Sequence, residues 1–115
     1  MTELTLQECQ RVVDEWVTTI GVRYYSELTN TAVLMEEVGE VARLMARLYG
    51  DQSFKKSDEA YDLADEMADV LFALIGWATQ TGIALRAVSP KNWAKKPART
   101  RDRHANNPKL RTIND

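Results

Sequence analysis

Five carboxylates stand out by position. The segment LMEEVGEVARL, residues 34–44, places Glu36, Glu37 and Glu40 in a helical run otherwise made of core formers. At about 100° per residue, Leu34, Val38, Val41, Leu44, Met45 and Leu48 define its buried arc. Glu37 falls inside that arc and Glu40 at its edge, on the same side. Glu36 lies further out, towards Arg43 and Arg47. A later run, DEMADVLFALIGWA, repeats the theme: Glu66 and Asp69 are again i and i+3, and Glu66 borders Leu63 and Val70. An unpaired carboxylate at a core margin costs several kcal/mol, and pairs on neighbouring antiparallel helices also repel. A hard divalent cation removes both problems, and an oxygen-only set suits Mg²⁺ or Mn²⁺. The sole histidine, His104, lies in the tail and Cys9 in an apolar stripe, which argues against zinc. A di-iron site of the Glu-x-x-His type lacks its histidines. The competing explanation is a solvated acidic face with coincidental spacing; it fits Glu66 and Asp69 better than it fits Glu37. Outer acids such as Asp58 and Glu59 are expected to serve a helix N-terminus.

These side chains need helices to carry them. Thr5-Leu-Gln-Glu8 reads as a capping box, followed by Leu6, Cys9, Val13, Trp16, Val17 and Ile20 at helical spacing, with Gly21 as the stop. Residues 22–28 connect. A second helix is expected from Thr29 or Asn30 to Tyr49, ended by Gly50. Residues 51–58 read as a polar loop. A third helix is expected from Ser57 or Asp58 to about Thr81, ended by Gly82. A shorter piece, Ile83 to Val88, should break before Pro90. No repeat and no strand pattern is visible. The expected fold is all-α: an antiparallel bundle of three main helices and a short fourth. The middle helices are apolar over wide arcs and need cover on more than one side, so completion by dimerisation is expected. Residues 1–90 should form the helical domain and 91–115 a basic tail of the same unit.

With 115 residues, 44% apolar and 28% charged, the chain suits one globular domain. One cysteine cannot make an internal disulfide, which suits a reducing cytoplasm. No basic-then-apolar leader and no apolar run of about 18 residues is present, so a soluble, cytoplasmic protein without membrane contact is expected. The net charge of −2 hides an asymmetry: residues 1–85 hold 15 acids and 6 bases, residues 86–111 nine bases and one acid. That tail raises a second hypothesis, a non-enzymatic nucleic-acid-binding helical module using salt-dependent phosphate contacts. It leaves the paired carboxylates unexplained, and the acidic body would repel a duplex, so nucleic acid is disfavoured as a partner.

Glu36-Glu37-Val-Gly-Glu40 followed by Glu66-Met-Ala-Asp69 resembles the MazG-like nucleotide pyrophosphohydrolases, the all-α NTP pyrophosphatase superfamily. The resemblance covers roughly residues 5–85. It implies hydrolysis of a nucleoside triphosphate between the α and β phosphates, giving monophosphate and pyrophosphate. By motif position it implies Glu37, Glu40, Glu66 and Asp69 as Mg²⁺ ligands, with Glu36 as a supporting carboxylate that orients or deprotonates water. The family's Asn, Lys and Arg after the third helix match Asn92, Lys95, Lys96 and Arg99 loosely. The tail RTRDRHANNPKL resembles tails of short bacterial members. Trp16 and Trp77 fit packing positions, with base stacking as the alternative for one of them. Trp93 is a candidate for base or partner contact, and Tyr24 and Tyr25 for lining a base pocket. A homodimer or dimer of dimers is expected. The substrate would be canonical (d)NTPs or non-standard nucleotides removed from the pool, since the motif binds phosphates rather than base edges.

Overall fold

The computed structural model describes residues 3–111. Four helices follow one another: α1 (Leu6–Thr19), α2 (Glu27–Leu48), α3 (Leu63–Gln80) and α4 (Leu85–Ala105). Two short 3₁₀ turns, Lys56–Ala60 and Pro108–Leu110, join or follow them. Among the described residues there is no strand. The all-α expectation holds.

Each start and stop has a local cause. Thr5 caps α1 as expected: the Glu8 N–H donates to Thr5 Oγ1 at 3.1 Å, and the Thr5 hydroxyl donates to the Glu8 carboxylate at 2.9 Å. Behind α1, a Cβ on Gly21 would lie 2.9 Å from the Val17 carbonyl oxygen, so close approach requires glycine there. The left-handed residue is its neighbour Val22, φ 73°. Helix α2 starts earlier than expected, because Ser26 takes the cap and accepts from the Thr29 N–H at 3.2 Å. Thr29 and Asn30 are inside the helix. Helix α3 starts later, at Leu63, after the Lys56–Ala60 turn. Asp58 does not open that helix; its carboxylate is drawn to two arginines of α2.

The largest departure is α4. A short piece ending before Pro90 was expected, with a tail behind it. Instead one helix runs through Pro90 and Pro97 to Ala105. Each proline removes one backbone N–H bond and crowds the preceding turn. The helix buries no residue, so no tight neighbour resists the adjustment. Residues 112–115 of the expected tail lie outside the described residues.

Helix α3 is the centre of the packing, meeting α2 along most of its length and α1 on another side. Val13, Leu34, Leu44, Ile75 and Ala78 are the buried apolar residues among those described. Helix α4 leaves α3 at 108° and rests on α1. One amide fixes that corner: Gln10 Nε2 donates to Thr79 Oγ1 and the Ile83 carbonyl, and its Oε1 accepts from the Leu85 N–H. The chain does not close on itself. Its accessible surface is 9178 Å², against roughly 6,400 Å² for a compact monomer of this mass. Its radius of gyration is 18.2 Å, against about 13 Å. Part of the exposed surface is apolar: Met35, Val38, Met45 and Leu48 of α2 and Met67, Leu71 and Leu74 of α3 are all exposed. Among the described residues no single helix is long and apolar enough to cross a membrane.

Candidate active site

Helices α2 and α3 run antiparallel, since Asn30 meets Gln80, Glu37 lies near Asp69 and Arg47 meets Asp58. That arrangement brings the two acidic motifs level. One carboxylate oxygen each from Glu37, Glu66 and Asp69 lies within 4.8 Å of the others. Glu66 is buried, Glu37 half-buried and Asp69 exposed. Glu40 is exposed and not among these three, although its charge acts on both Glu37 and Glu66, and Glu36 is exposed as well. No lysine or arginine is ion-paired with any of these acids among the described residues. The consequence is electrostatic. Burial pushes the Glu37 carboxyl above the usual range, helped by the charges of Asp69, Glu40 and Glu36. Burial does the same to Glu66, with Asp69, Glu40 and Glu37 adding to it. Three converging oxygens that no cation among the described residues pairs with form a donor set that fits a hard divalent cation.

Asp58, at the foot of α3, is handled differently. It is fully buried. Its Oδ2 accepts from the Lys55 N–H at 2.9 Å and lies 2.9 Å from Arg47 Nε, while its Oδ1 faces the Arg43 guanidinium. The Lys55 hydrogen bond holds its carboxyl below the usual range against the cost of burial, with both arginines helping. Arg43 and Arg47 are thus spent on the loop before α3, leaving none for Glu36 or Glu37.

Beside the carboxylates is a cavity of about 310 Å³, whose walls include Glu37 and Asp69. Its other walls are largely aromatic: Trp16, Tyr24, Tyr25, Phe72 and Trp77. Trp16 is not a core residue; it is 46% exposed and meets Phe72 edge to face, with centroids 5.5 Å apart. The Tyr24 hydroxyl donates to Asp14 Oδ1 at 2.7 Å. Burial and that carboxylate raise its pKa and keep it protonated. Arg23, at the far end, and Gly76, on α3, had no role in the reading of the sequence, and Asn30 had one only as a helix start. Their signal was helical spacing: Asn30 and Val33 precede Glu37 by seven and four residues, and Phe72, Ala73 and Gly76 follow Asp69 by three, four and seven.

The basic candidates Asn92, Lys95, Lys96 and Arg99 fall on α4 and are exposed. None of them lines the cavity. At about 100° per residue, Asn92, Lys96 and Arg99 share one narrow face, Lys95 flanks it, and the two prolines point the other way. Trp93 is exposed and also stands away from the cavity.

Residues 25–104 match the model of the MazG nucleotide pyrophosphohydrolase domain. The chain belongs to the MazG nucleotide pyrophosphohydrolase family. It is an enzyme, a hydrolase of nucleotide pyrophosphate bonds. The match takes in both carboxylate helices and almost all of α4. The chain is 31% identical over 103 residues to the uncharacterized protein YpjD of Bacillus subtilis (strain 168), covering 90% of this chain and 93% of that one. It superposes on the crystal structure of B. subtilis YPJD with a TM-score of 0.73 at 32% identity, covering 83% and 95% of the two chains. A Bacillus-conserved MazG protein, a nucleotide pyrophosphohydrolase, superposes with a TM-score of 0.68 at 30% identity, covering 83% and 92%. The carboxylates of this MazG domain therefore sit beside a cavity with aromatic walls.

Proposed function

We propose that the protein is a Mg²⁺-dependent pyrophosphohydrolase that cleaves (d)NTPs between the α and β phosphates, releasing (d)NMP and pyrophosphate. The observation that carries this reading is the juxtaposition of Glu37, Glu66 and Asp69, ion-paired with no cation among the described residues, with an aromatic cavity. Glu37, Glu40, Glu66 and Asp69 hold Mg²⁺, for which Mn²⁺ can substitute. When bound, the ion neutralises triphosphate charge and lowers the pKa of water. Glu36 orients the attacking water or takes its proton. The aromatic walls hold the base and fix the α-phosphate against the carboxylates, and positioning is most of what phosphoryl chemistry asks of a protein. Asn92, Lys95, Lys96 and Arg99 contact the phosphates.

A homodimer or dimer of dimers accounts for two further features. A second copy covers the exposed apolar residues of α2 and α3, burying area that otherwise faces water. It also supplies a route for the basic face of α4 to reach a carboxylate site that its own chain does not line. We place the enzyme in the cytoplasm and its role in clearing non-canonical nucleotides or turning over ordinary dNTPs.

The test is product analysis on a panel of canonical and damaged NTPs and dNTPs, with Mg²⁺ and with chelator, alongside Glu37→Ala. Monophosphate and pyrophosphate that require metal and vanish in the variant are the expected result. Activity that survives chelation, or a fully active Glu37→Ala, would overturn the ligand assignment.

A further inference from the structure

The far end of the cavity holds an amide whose orientation is forced. Gln80 Nε2 faces the Tyr25 carbonyl and Glu27 Oε1, the latter at 3.1 Å. A carbonyl and a carboxylate can only accept, so this end of Gln80 must be its NH₂. Its Oε1 is therefore the end turned to Asn30, 2.7 Å away, and Asn30 must present Nδ2 to it. The flip ambiguity that attends most side-chain amides is removed by two obligate acceptors. Asn30 Oδ1 is left without a donor among the described residues, and Asn30 lines the cavity.

Its place along α2 sets its distance from the carboxylates. Asn30 and Glu37 are seven residues apart on one face, which sets them about 10 Å apart along the helix. Both line the cavity, with Trp77 and Phe72 among the walls between α2 and α3. A nucleotide with its α-phosphate at the carboxylates would need about that span to carry its base past the aromatic walls to Asn30. Among the described residues, Arg23 Nη1 at that end of the cavity is engaged by the Tyr24 carbonyl and the Tyr24 hydroxyl by Asp14, while the Gln80 amide leaves Asn30 presenting an acceptor.

We infer that Asn30, held by Gln80, reads the base, and that the preferred substrates carry an N–H donor on the base edge that reaches Asn30 Oδ1. This rests on the nucleotide reading of the site above. Asn30 touches the base; Gln80 acts through it as a positioning residue. A base lacking the donor leaves Oδ1 unpaired, and sites built around such a bond reject the analogue that lacks it.

The test separates recognition from hydrolysis. Trp16 and Trp77 line the cavity, so their fluorescence reports occupancy by nucleoside monophosphates without turnover. The probes are AMP, GMP, CMP and UMP against purine riboside monophosphate, whose base has no N–H on its edge. In the wild type the best natural base should bind at least about 10-fold tighter than this analogue. In Asn30→Ala and in Gln80→Met that ratio should collapse to within about threefold. Circular dichroism melts of both variants check the fold, and a ratio that changes while the melt does not rules out a merely structural role for Gln80. An unchanged ratio in both folded variants, a wild-type ratio near one, or no quenching by any probe would overturn the inference. Triphosphate hydrolysis measured on the same wild-type sample judges the other reading: base-dependent quenching without turnover would sink the proposed reaction and leave the base reader standing.

Discussion

Asp58 and Glu66 stand eight residues apart at the start of the same helical arm, and both are withdrawn from water, at 0% and 7% exposure. The chain treats them in opposite ways. Asp58 receives a backbone N–H and two guanidinium groups, and its carboxyl is held low. Glu66 receives two more acids, Glu37 and Asp69, and its carboxyl is pushed up. A buried charge persists only when something compensates it. For Asp58 the compensation is internal, so its role is structural: it ties the loop before α3 to Arg43 and Arg47 of α2. For Glu66 no such partner stands among the described residues, and the proposed metal site would supply the compensation from outside. Burial and acidity alone would have grouped the two; the partners separate them.

Removing one residue from each region should break the comparison in opposite directions. Glu66→Gln should lower turnover by roughly 10³-fold or more, the scale of losing a key electrostatic contact to the reacting phosphate. The metal-free variant should melt no lower than the wild type, because a repelled buried charge has gone. It should also lose the rise in Tm that Mg²⁺ gives the wild type by binding the folded state. Calorimetry with and without Mg²⁺, beside a turnover assay, checks all three. Asp58→Ala should do the reverse. Two arginines lose their buried partner, and Tm should fall by roughly 10 °C or more, with and without metal. An Asp58→Ala protein that melts like the wild type would mean that the clamp stabilises nothing.

The two regions also differ in how far they could be read from sequence. The Glu37/Glu66/Asp69 group was legible because helical periodicity is local: i and i+3 spacing places a side chain on a face before any tertiary contact is known. Asp58 was not, because its partners lie across a loop of irregular length. Its acidity, which suits a helix N-terminus, assigned it to a helix start that the chain makes at Leu63 instead. Thr5 and Glu8 were legible as a cap for the same local reason. Trp16 was misplaced because helical spacing cannot tell a core face from a cavity wall. Helix α4 was cut short because interior proline is usually expensive. That cost falls on one bond per proline, and a helix with no buried residue has room to adjust.

Acid titration should separate the regions on one sample. Glu37 and Glu66 have folded pKa values raised above 4.5. Their protonated forms favour the folded state, so that contribution is full below the unfolded value and lost as pH rises through the folded values. Asp58 is lowered from 3.8, so its contribution is present above that value and lost as pH falls through the folded one. Metal-free protein should therefore gain stability as pH drops from 7 towards the raised glutamate values, then lose it below about 3.8, the unfolded Asp value. Chemical denaturation across this range tests both arms. The paired variant Glu37→Gln with Glu66→Gln should flatten the upper arm, and Asp58→Asn should make the lower arm shallower. A metal-free profile that falls steadily from pH 7 downward would mean that the glutamate cluster is already compensated.

The smallest expected effect concerns the wall between the two regions' helices and α1. Gly76 lies in the middle of α3, is buried, and lines the cavity. An added Cβ would meet Val13 Cγ1 at 3.5 Å and Tyr24 Cε1 at 3.9 Å, both ordinary van der Waals distances. Packing therefore does not require glycine here, and α3 gives up about 0.5–1 kcal/mol of helix stability by having it. What the missing methyl leaves is room beside Tyr24 in the cavity. Gly76→Ala should raise stability by about that amount while weakening nucleotide binding severalfold, as a narrowed pocket does, with little change in kcat. Denaturant melts and steady-state kinetics on one preparation read both quantities. A variant that is more stable and binds nucleotide unchanged would place the base elsewhere than against this stretch of α3, and would weaken the case that the aromatic cavity and the carboxylates form one site.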